Sequence, residues 1–272
     1  MRVLVLGAQG MLGTALMKHL VRQSDNVFGT TQDTVAGLIG GIDISDPIDV
    51  LRALDVAKPE VIVNCAGIVK SECHRYSTDR VQAVNTRAPH AIADIARRRG
   101  VRLVHVSTDC VFSGRRGSYR EKDLTDAEDL YGQSKAAGEV SDRSDCLTIR
   151  TSFIGRDPRR GRGLLEWLLA ARDTVPGFVG AHWSGLSAPE LARALTLALA
   201  TPALSGLYHV VGPPVSKADL LQVLVQEMRL PCRVKRVDGE RVDRTLNGSR
   251  FVDVTGYAPP GWVEMARELV HA

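Results

Sequence analysis

The stretch Val3-Leu4-Val5-Leu6-Gly7-Ala8-Gln9-Gly10-Met11-Leu12-Gly13 decides how this chain begins to fold. Its first four residues form a continuous apolar run, typical of a strand covered on both faces, and an amphipathic segment at 11–21 follows the glycines. Glycines between a strand and a helix let the backbone approach a pyrophosphate at the helix N-terminus, where free N–H groups favour negative charge. The stretch therefore predicts a dinucleotide site, with cofactor-binding residues Gly7, Gln9, Gly10, Met11 and Gly13.

The alternation of apolar runs and helical segments continues to about residue 150. It predicts further strands at 27–29, 38–42, 61–64 and 101–106, with helices at 47–57 and 80–99. This rhythm is typical of an α/β protein with a doubly wound parallel sheet, the Rossmann arrangement.

The rhythm changes at 155–163, a loop rich in Gly, Arg and Pro, so we place a domain boundary near residue 152. Residues 1–152 are expected to form an NAD(P)-binding Rossmann domain. Residues 153–272 are expected to form a smaller C-terminal α/β lobe that binds substrate, and the apolar segment 207–211 should return to the main sheet.

The end of the second strand bears on the choice of cofactor. Sites that bind NAD often carry an acid about twenty residues after the glycines, which grips the ribose 2′-hydroxyl. Here the strand leads into Thr30-Thr31-Gln32, a neutral end that tolerates a 2′-phosphate. NADP(H) is therefore favoured, and NAD(H) stays open because Asp33 is close and the sequence shows no arginine clamp. After the strand at 61–64, the small residues Cys65-Ala66-Gly67 would let a cofactor ring lie close.

Composition excludes several classes of protein. The chain has 272 residues, of which 44% are hydrophobic and 24% charged, as in ordinary globular proteins. Its five cysteines form neither a C-x-x-C pair nor a metal-binding cluster, so we expect reduced thiols in the cytoplasm and no metal. A net charge of +4 with scattered basic residues gives weak support for nucleic acid and fits an anionic small molecule better. Neither a secretion signal nor a membrane span is predicted.

Tyr131 and Lys135 stand four residues apart at a predicted helix start, so their side chains share one face. A free tyrosine has a pKa of about 10, and a nearby cation that favours the phenolate lowers it. The pair therefore predicts a proton donor tuned by an ammonium. Ser107-Thr108-Asp109 follows the strand at 101–106, at the sheet edge where parallel sheets bind ligands.

Four elements in order, Gly7 to Gly13, Asn64-Cys65-Ala66-Gly67, Ser107-Thr108-Asp109 and Tyr131 with Lys135, resemble the extended short-chain dehydrogenase/reductases. Within them, the segment 107–114 (STDCVFSG) and Arg150-Thr151-Ser152 resemble the dTDP-4-dehydrorhamnose reductase group. The resemblance covers essentially the whole chain and is stronger in residues 1–152.

The resemblance implies hydride transfer from a reduced nicotinamide to the C4 ketone of a nucleotide-linked deoxysugar. It implies that Tyr131 donates a proton to the developing alkoxide and that Thr108 hydrogen-bonds the alkoxide oxygen. Lys135 would hold the nicotinamide ribose and lower the pKa of the tyrosine. It also implies cofactor roles for Thr30, Asp43, Ile44, Ala66 and Asn85. A nucleotide-diphosphate sugar is the implied partner, and a homodimer is one form the assembly can take.

The substrate-binding residues implied by the resemblance are Asp109, Cys110, Val111, Phe112, Trp183, Arg244, Asn247 and Arg250. Arg244 and Arg250 are expected on the nucleotide diphosphate, because guanidinium suits phosphate oxygens. Two departures from the group affect the sugar pocket. Cys110 stands where the rhamnose enzymes commonly carry tyrosine, and 182–187 (HWSGLS) replaces a different substrate-contacting loop.

Two other functions remain open. One is a sugar-nucleotide epimerase or dehydratase of the same superfamily, which would retain NAD; Asp109-Cys110 does not supply the Asp-Glu pair usual in dehydratases. The other is a partner protein of this fold, like the NADP-binding regulatory subunit of methionine adenosyltransferase.

Overall fold

The structure is a computed structural model that describes residues 1–24, 26–157, 161–239 and 241–270. Residues 158–160 of the predicted Gly/Arg/Pro loop lie outside this range. The strands are β1 (Val3–Leu6), β2 (Val27–Gly29), β3 (Val61–Asn64), β4 (Arg102–Thr108), β5 (Cys146–Thr151), β6 (Phe153–Ile154), β7 (Thr174–Phe178), β8 (Ala181–Trp183), β9 (Leu186–Ser187), β10 (Gly206–His209), β11 (Val215–Ser216), β12 (Arg233–Val237) and β13 (Val242–Asp243). The α-helices are α1 (Met11–Val21), α2 (Pro47–Ala57), α3 (Thr78–Gln82), α4 (Ala88–Arg98), α5 (Leu130–Ala137), α6 (Leu164–Ala170), α7 (Ala188–Leu199), α8 (Lys217–Glu227), α9 (Ser249–Thr255) and α10 (Trp262–Leu269).

Six parallel strands form the main sheet, in the order β10-β5-β4-β3-β1-β2. The chain moves outward from β1 to β2 and then crosses to β3 on the other side of β1. Ligands of open parallel sheets bind in the crevice where the strand order reverses, beyond the carboxyl ends. This topology opens that crevice above β1 and β3, and confirms the predicted fold class.

The apolar run of β1 is continuous because the sheet is covered on both faces. Val3 and Val5 point into one core, beneath α1 and α7, whereas Leu4 and Leu6 point into the other, beneath α2 and α4. Side chains alternate across a strand, so a strand buried on both faces needs apolar residues at every position.

The second part of the chain shares the first core. Leu191 and Leu195 of α7 pack in the same cluster as Leu12 and Leu16 of α1, and β10 is an edge strand of the main sheet. A smaller sheet, β11-β8-β13, lies in the second part, with the strand pairs β7-β12 and β6-β9. The described residues of α7 and β10 therefore pack with the first part of the chain, and a separate lobe at 153–272 stays a prediction.

Two predicted elements differ in the structure. The segment 38–42 is not a strand, and Ile39 forms only an isolated bridge with Thr30. Gly37 and Gly41 have φ values of +79° and +66°, which interrupt an extended backbone. The predicted helix at 80–99 is α3, a π-helical turn at Ala83–Arg87 and then α4.

The five cysteine thiols are free in the structure. Among the described residues, no helix has both the length and the apolar character needed to cross a membrane. The same residues contain no group of three or more His, Cys, Asp or Glu side chains placed to hold a metal ion.

Candidate active site

The glycine turn after β1 leaves open the N-terminus of α1. Gly7 has a φ of +79°, and a Cβ on Gly13 would lie 2.1 Å from the carbonyl oxygen of Gly7, so the helix can approach the turn only with glycine there. The first turn of α1 carries no acid, and its N-cap residue Gly10 makes no side-chain cap. First-turn N–H groups are therefore available to an anion, which fits the pyrophosphate of a dinucleotide.

A groove of about 210 Å³ runs from this turn along the edge of the sheet. Nine of the predicted cofactor residues line it: Gly7, Gln9, Gly10, Thr30, Asp43, Ile44, Cys65, Ala66 and Gly67. Met11 and Gly13 belong to α1 behind the turn, and Gly155 and Gly163 pack close to the Met11 side chain. The groove therefore gathers these residues at a strand-order reversal, where open parallel sheets bind dinucleotides.

Arg80 lines the groove beside Asp43 and was not predicted from the sequence. Its guanidinium donates to Oδ2 of Asp43 at 2.7 Å and to the Ser45 hydroxyl at 2.6 Å. Burial raises the pKa of Asp43, but hydrogen bonds from Ser45 and Arg80 outweigh burial and hold that pKa below its ordinary value. Arg80 is 37 residues away from Asp43, so only tertiary folding brings this cation to the groove.

Asn85 lies on the π-helical turn and is almost fully buried. Its amide accepts from the Ile68 N–H at 2.8 Å and donates to the Ile68 carbonyl at 2.9 Å and the Ser134 hydroxyl at 3.2 Å. Asn85 therefore ties the groove wall at Ile68 to the helix that carries Tyr131. A direct contact of Asn85 with the cofactor stays a prediction.

Thr108, Tyr131 and Lys135 come together at the carboxyl end of β4. Asp129 caps α5 by accepting from the Gly132 N–H at 2.8 Å, which begins the helix just before Tyr131. Tyr131 is half-buried, and its phenol interacts with the Thr108 hydroxyl. Lys135 follows one helical turn later. Its positive charge is close enough to Cys65, in the groove, to lower the pKa of that thiol against the effect of burial.

Buried backbone and imidazole groups hold Lys135. Its Nζ donates to the Val106 carbonyl at 2.8 Å and lies 3.4 Å from Nε2 of His105. Burial lowers the pKa of His105 well below its ordinary value, so the ring is neutral, and burial lowers that of Lys135 to about 8. An ammonium has three donors, which leaves one for a ribose hydroxyl.

The pKa of Tyr131 differs from the expectation drawn from Lys135. Burial raises this pKa well above its ordinary value, and the nearby Cys110 and Asp109 act in the same direction. The Thr108 hydrogen bond opposes the rise only in part. In the protein alone the phenol therefore holds its proton firmly, and the predicted lowering by Lys135 is not seen.

On the substrate side, Asp109 and Cys110 follow Thr108 on a short 3-10 turn. Burial raises the pKa of both groups, that of Cys110 to about 12. Two cations face them: Lys217, the first residue of α8, and Arg244, just after β13. Arg244 donates from Nε to the Phe112 carbonyl at 2.9 Å and from a terminal nitrogen to the Ser113 carbonyl at 3.1 Å. The sequence identified Arg244 but missed Lys217.

Three predicted substrate residues are core residues instead. Val111 and Phe112 are fully buried, and the Phe112 ring stacks on Tyr119 at 4.1 Å. Trp183 is only 5% exposed and packs against Trp262 at 5.3 Å. Val111 and Phe112 belong to a small apolar cluster with Tyr119 and Leu246, and Trp183 belongs to the core beneath α1 and α7, so the structure gives no support to direct substrate contact by these three side chains.

Asn247 and Arg250 also lie outside the Asp109 cluster. Oδ1 of Asn247 accepts from the Ser249 N–H at 3.0 Å, at the start of α9. The Arg250 guanidinium donates to the Leu207 carbonyl at 2.6 Å and stacks 4.1 Å from the Tyr208 ring, on the outer edge strand. Both contacts of the Arg250 guanidinium are with the edge strand, which gives no support to the predicted contact with the diphosphate.

Known proteins share this fold and sequence. The family model of the RmlD substrate binding domain matches residues 1–246. A dTDP-4-keto-6-deoxy-D-glucose reductase of Streptomyces niveus is 32% identical over 252 residues, 89% of this chain and 84% of that protein. The crystal structure of a hypothetical dTDP-4-dehydrorhamnose reductase of Sulfolobus tokodaii is 27% identical, covers 96% of this chain and 98% of its own, and has a TM-score of 0.82.

A more distant structure shares the fold. The dTDP-4-dehydrorhamnose reductase of Bacillus anthracis, solved in complex with NADP, is 21% identical and superposes with a TM-score of 0.81 over 98% of each chain. The family model extends from the glycine turn past Arg244, so it includes both the groove and the Thr108, Tyr131 and Lys135 cluster. The chain therefore belongs to the family of the RmlD substrate binding domain, the dTDP-4-dehydrorhamnose reductase group of the extended short-chain dehydrogenase/reductases.

Proposed function

We propose that this protein reduces the 4-keto group of a nucleotide-linked deoxysugar with NADPH, in the biosynthesis of a polysaccharide or a natural-product sugar. The observation that carries the proposal is the meeting of Thr108, Tyr131 and Lys135 at the carboxyl end of β4, beside the dinucleotide groove. The names of the relatives, reductases of dTDP-4-keto sugars, support the same reaction class.

The bound cofactor supplies the hydride that C4 of the sugar accepts. Tyr131 donates its proton to the developing alkoxide, and the Thr108 hydroxyl hydrogen-bonds the same oxygen. Lys135 orients the nicotinamide ribose and, as a cation, stabilises the phenolate left after the transfer. A proton from solvent then restores the phenol, so one hydride and one proton convert the ketone to an alcohol.

A panel of 4-keto nucleotide sugars tests the reaction, with oxidation of NADPH as the readout and NADH in parallel. Turnover on at least one dTDP-linked or UDP-linked 4-keto-6-deoxysugar is expected. A protein that binds NADPH but reduces none of the panel would contradict the proposal and favour a regulatory partner protein.

The dehydratase alternative has less support from the site. Burial raises the pKa of Cys110 to about 12, so its thiol stays protonated near neutrality and supplies no base beside Asp109. An Asp-Glu acid and base pair is not formed by these neighbouring residues.

Exchangeable cofactor with a preference for NADPH over NADH is expected. Thr30 and Thr31 give the second strand a neutral end, and Arg80 adds a cation to that end of the groove. Titration of cofactor-free protein with each nucleotide measures the two affinities. Purification with stoichiometric NAD that does not exchange would instead support the epimerase alternative.

Arg244 and Arg250 provide a matched pair of arginine variants. Arg244→Ala is expected to raise the KM for the nucleotide sugar about tenfold, because Arg244 faces Asp109 at the substrate side. Arg250→Ala should leave that KM unchanged, because its guanidinium is engaged at Leu207 and Tyr208. Steady-state kinetics at saturating NADPH measures both, and equal KM values in the two variants would show that Arg244 does not contact the substrate.

The location and assembly follow from the same proposal. We place the enzyme in the cytoplasm, supported by its free cysteine thiols, and expect a homodimer. Light scattering of the purified protein measures its mass in solution, and a monomer at working concentration would contradict the dimer.

A further inference from the structure

Lys217 is a half-buried cation that the reaction described above does not use. It opens α8, and its Nζ lies 4.3 Å from the centroid of the Trp183 ring. Ser216, which precedes it, pairs with His182 across β11 and β8 and caps the helix through Asp219. The backbone at Lys217 is therefore fixed by a strand pairing and a helix cap, and the side chain is fixed by the indole.

The Trp183 ring is itself held in place. It packs against Trp262 of α10, and a Cβ on Gly185 would lie 1.9 Å from the ring, so glycine is required beside it. Because the ring is 5% exposed, it offers little surface to a ligand. The ammonium of Lys217 covers one of its faces and is the group presented towards Asp109.

The position of Lys217 is electrostatically unfavourable without an anion. A cation in the first turn of a helix opposes the helix dipole, and burial disfavours its charge further. Burial is the largest influence on the pKa of Lys217 and lowers it, and Arg244 acts in the same direction. Asp109 and Cys110 are the groups that oppose this lowering.

The charges around Lys217 do not balance. Lys217 and Arg244 carry two positive charges, and Asp109 is the acidic group that faces both of them. Within the ranges that the structure describes, neither cation forms a salt bridge within 4.0 Å. Arg244 is engaged by two neutral carbonyls and Lys217 by a neutral ring, so their positive charge remains available to a ligand.

We propose that Lys217 is a specificity-determining residue that binds a phosphate oxygen of the nucleotide diphosphate, beside Arg244 and facing Asp109, the residue after Thr108. This inference rests on the proposed function, because it takes the diphosphate from that substrate. A doubly charged phosphate pair balances the two cations, and an ammonium makes strong charge-assisted hydrogen bonds to phosphate. Trp183 then acts as the platform that positions the ammonium, which explains its burial.

Direct binding of nucleoside diphosphates tests Lys217 without relying on turnover. Titration calorimetry with dTDP, UDP, CDP, GDP and ADP identifies the diphosphate that the parent protein binds, and the matching nucleoside is measured beside it. Lys217→Met keeps an unbranched apolar stem over the indole but removes the charge. We expect it to weaken diphosphate binding about tenfold or more, with nucleoside binding changed less than about twofold.

Two further variants separate charge from packing. Lys217→Arg should retain diphosphate affinity within about fivefold of the parent, because it restores the cation. Lys235→Met, on the exposed strand β12, removes a lysine far from the site and should leave both affinities unchanged. Equal loss of nucleoside and diphosphate binding in Lys217→Met would show a packing role and overturn the inference.

The outcome separates this inference from the reaction itself. Unchanged diphosphate affinity in Lys217→Met, in a protein that still reduces a 4-keto sugar, overturns the role of Lys217 and leaves the reaction standing. A protein that binds a diphosphate through Lys217 but reduces no keto sugar retains the inference and loses the reaction. Failure of the parent to bind any of the five diphosphates would overturn the inference.

Discussion

Replacing Tyr131 by phenylalanine is expected to reduce turnover by about 10³-fold or more and to leave NADPH binding nearly unchanged. Phenylalanine preserves the ring that packs at the start of α5 and removes only the hydroxyl that interacts with Thr108. Single-turnover reduction of the 4-keto sugar measures the loss, and titration with NADPH measures the binding.

The control for this variant is Tyr208→Phe, on the outer edge strand against Arg250. It removes a phenol of the same kind from a place outside the site, so its turnover should match that of the parent. Turnover in Tyr131→Phe equal to that of Tyr208→Phe would remove Tyr131 from the mechanism.

The raised pKa of Tyr131 explains why we expect a large loss of turnover in Tyr131→Phe. A phenol with a raised pKa is protonated throughout the neutral range and can therefore donate, but it is also a weak acid. Transfer therefore needs help when the alkoxide develops, and that help must come from the substrate oxygen, from Thr108 and from positive charge that arrives with the cofactor or resides on Lys135. Phenylalanine has no proton to donate and none for solvent to restore, so the loss of the hydroxyl is not made good by the remaining residues.

The local part of the fold could be predicted from the sequence because neighbouring residues decide it. The turn from β1 to α1 needs glycine at Gly7 and Gly13 for contacts made within a few residues, and α2 begins where Asp46 and Pro47 form a cap and first turn. The segment 38–42 was apolar enough for a strand, yet its glycines turn the backbone, and apolar runs alone do not report φ.

Long-range contacts limited the prediction of the substrate side. Arg250 resembled a phosphate ligand in the sequence, but it folds against an edge strand 43 residues away. Trp183 was expected on the substrate because of its place in the chain, yet Trp262 buries it. Lys217 carries no local signal, since a lysine at a helix start looks like any exposed cation. Only the packing of α8 against β8 places its ammonium over the Trp183 ring, facing Asp109.

The groove was predicted better than the substrate side for a physical reason. Its residues follow successive strand ends, and the carboxyl ends of parallel strands meet at one edge of the sheet. Strand order alone then brings Gly7, Thr30 and Cys65 together, whatever the rest of the chain does. Arg80 was missed because it reaches the groove from α3 across a loop, which no strand rule describes.

Lys135→Met is expected to weaken NADPH binding about tenfold and to lower the turnover rate about 10²-fold, because one ammonium serves both the ribose and the phenolate. The variant should fold normally. Methionine occupies the space of the lysine stem, and the substitution removes a cation whose burial is unfavourable. Calorimetry with NADPH and stopped-flow reduction separate the two effects, with Lys235→Met as the matched lysine control.

The pH dependence of NADPH binding by the parent protein tests the same role of Lys135. Burial lowers the pKa of Lys135 from 10.5 to about 8, so between these values the unfolded chain binds a proton that the folded protein does not. The contribution of Lys135 to the free energy of unfolding therefore rises with pH over this range. Its positive charge, which the cofactor needs, is lost in the folded protein as pH rises through about 8. NADPH affinity of the parent should accordingly fall above about pH 8, and that fall should be absent in Lys135→Met. An unaltered alkaline fall in the variant would assign it to another group, and a loss of rate without loss of NADPH affinity would show that Lys135 does not hold the ribose.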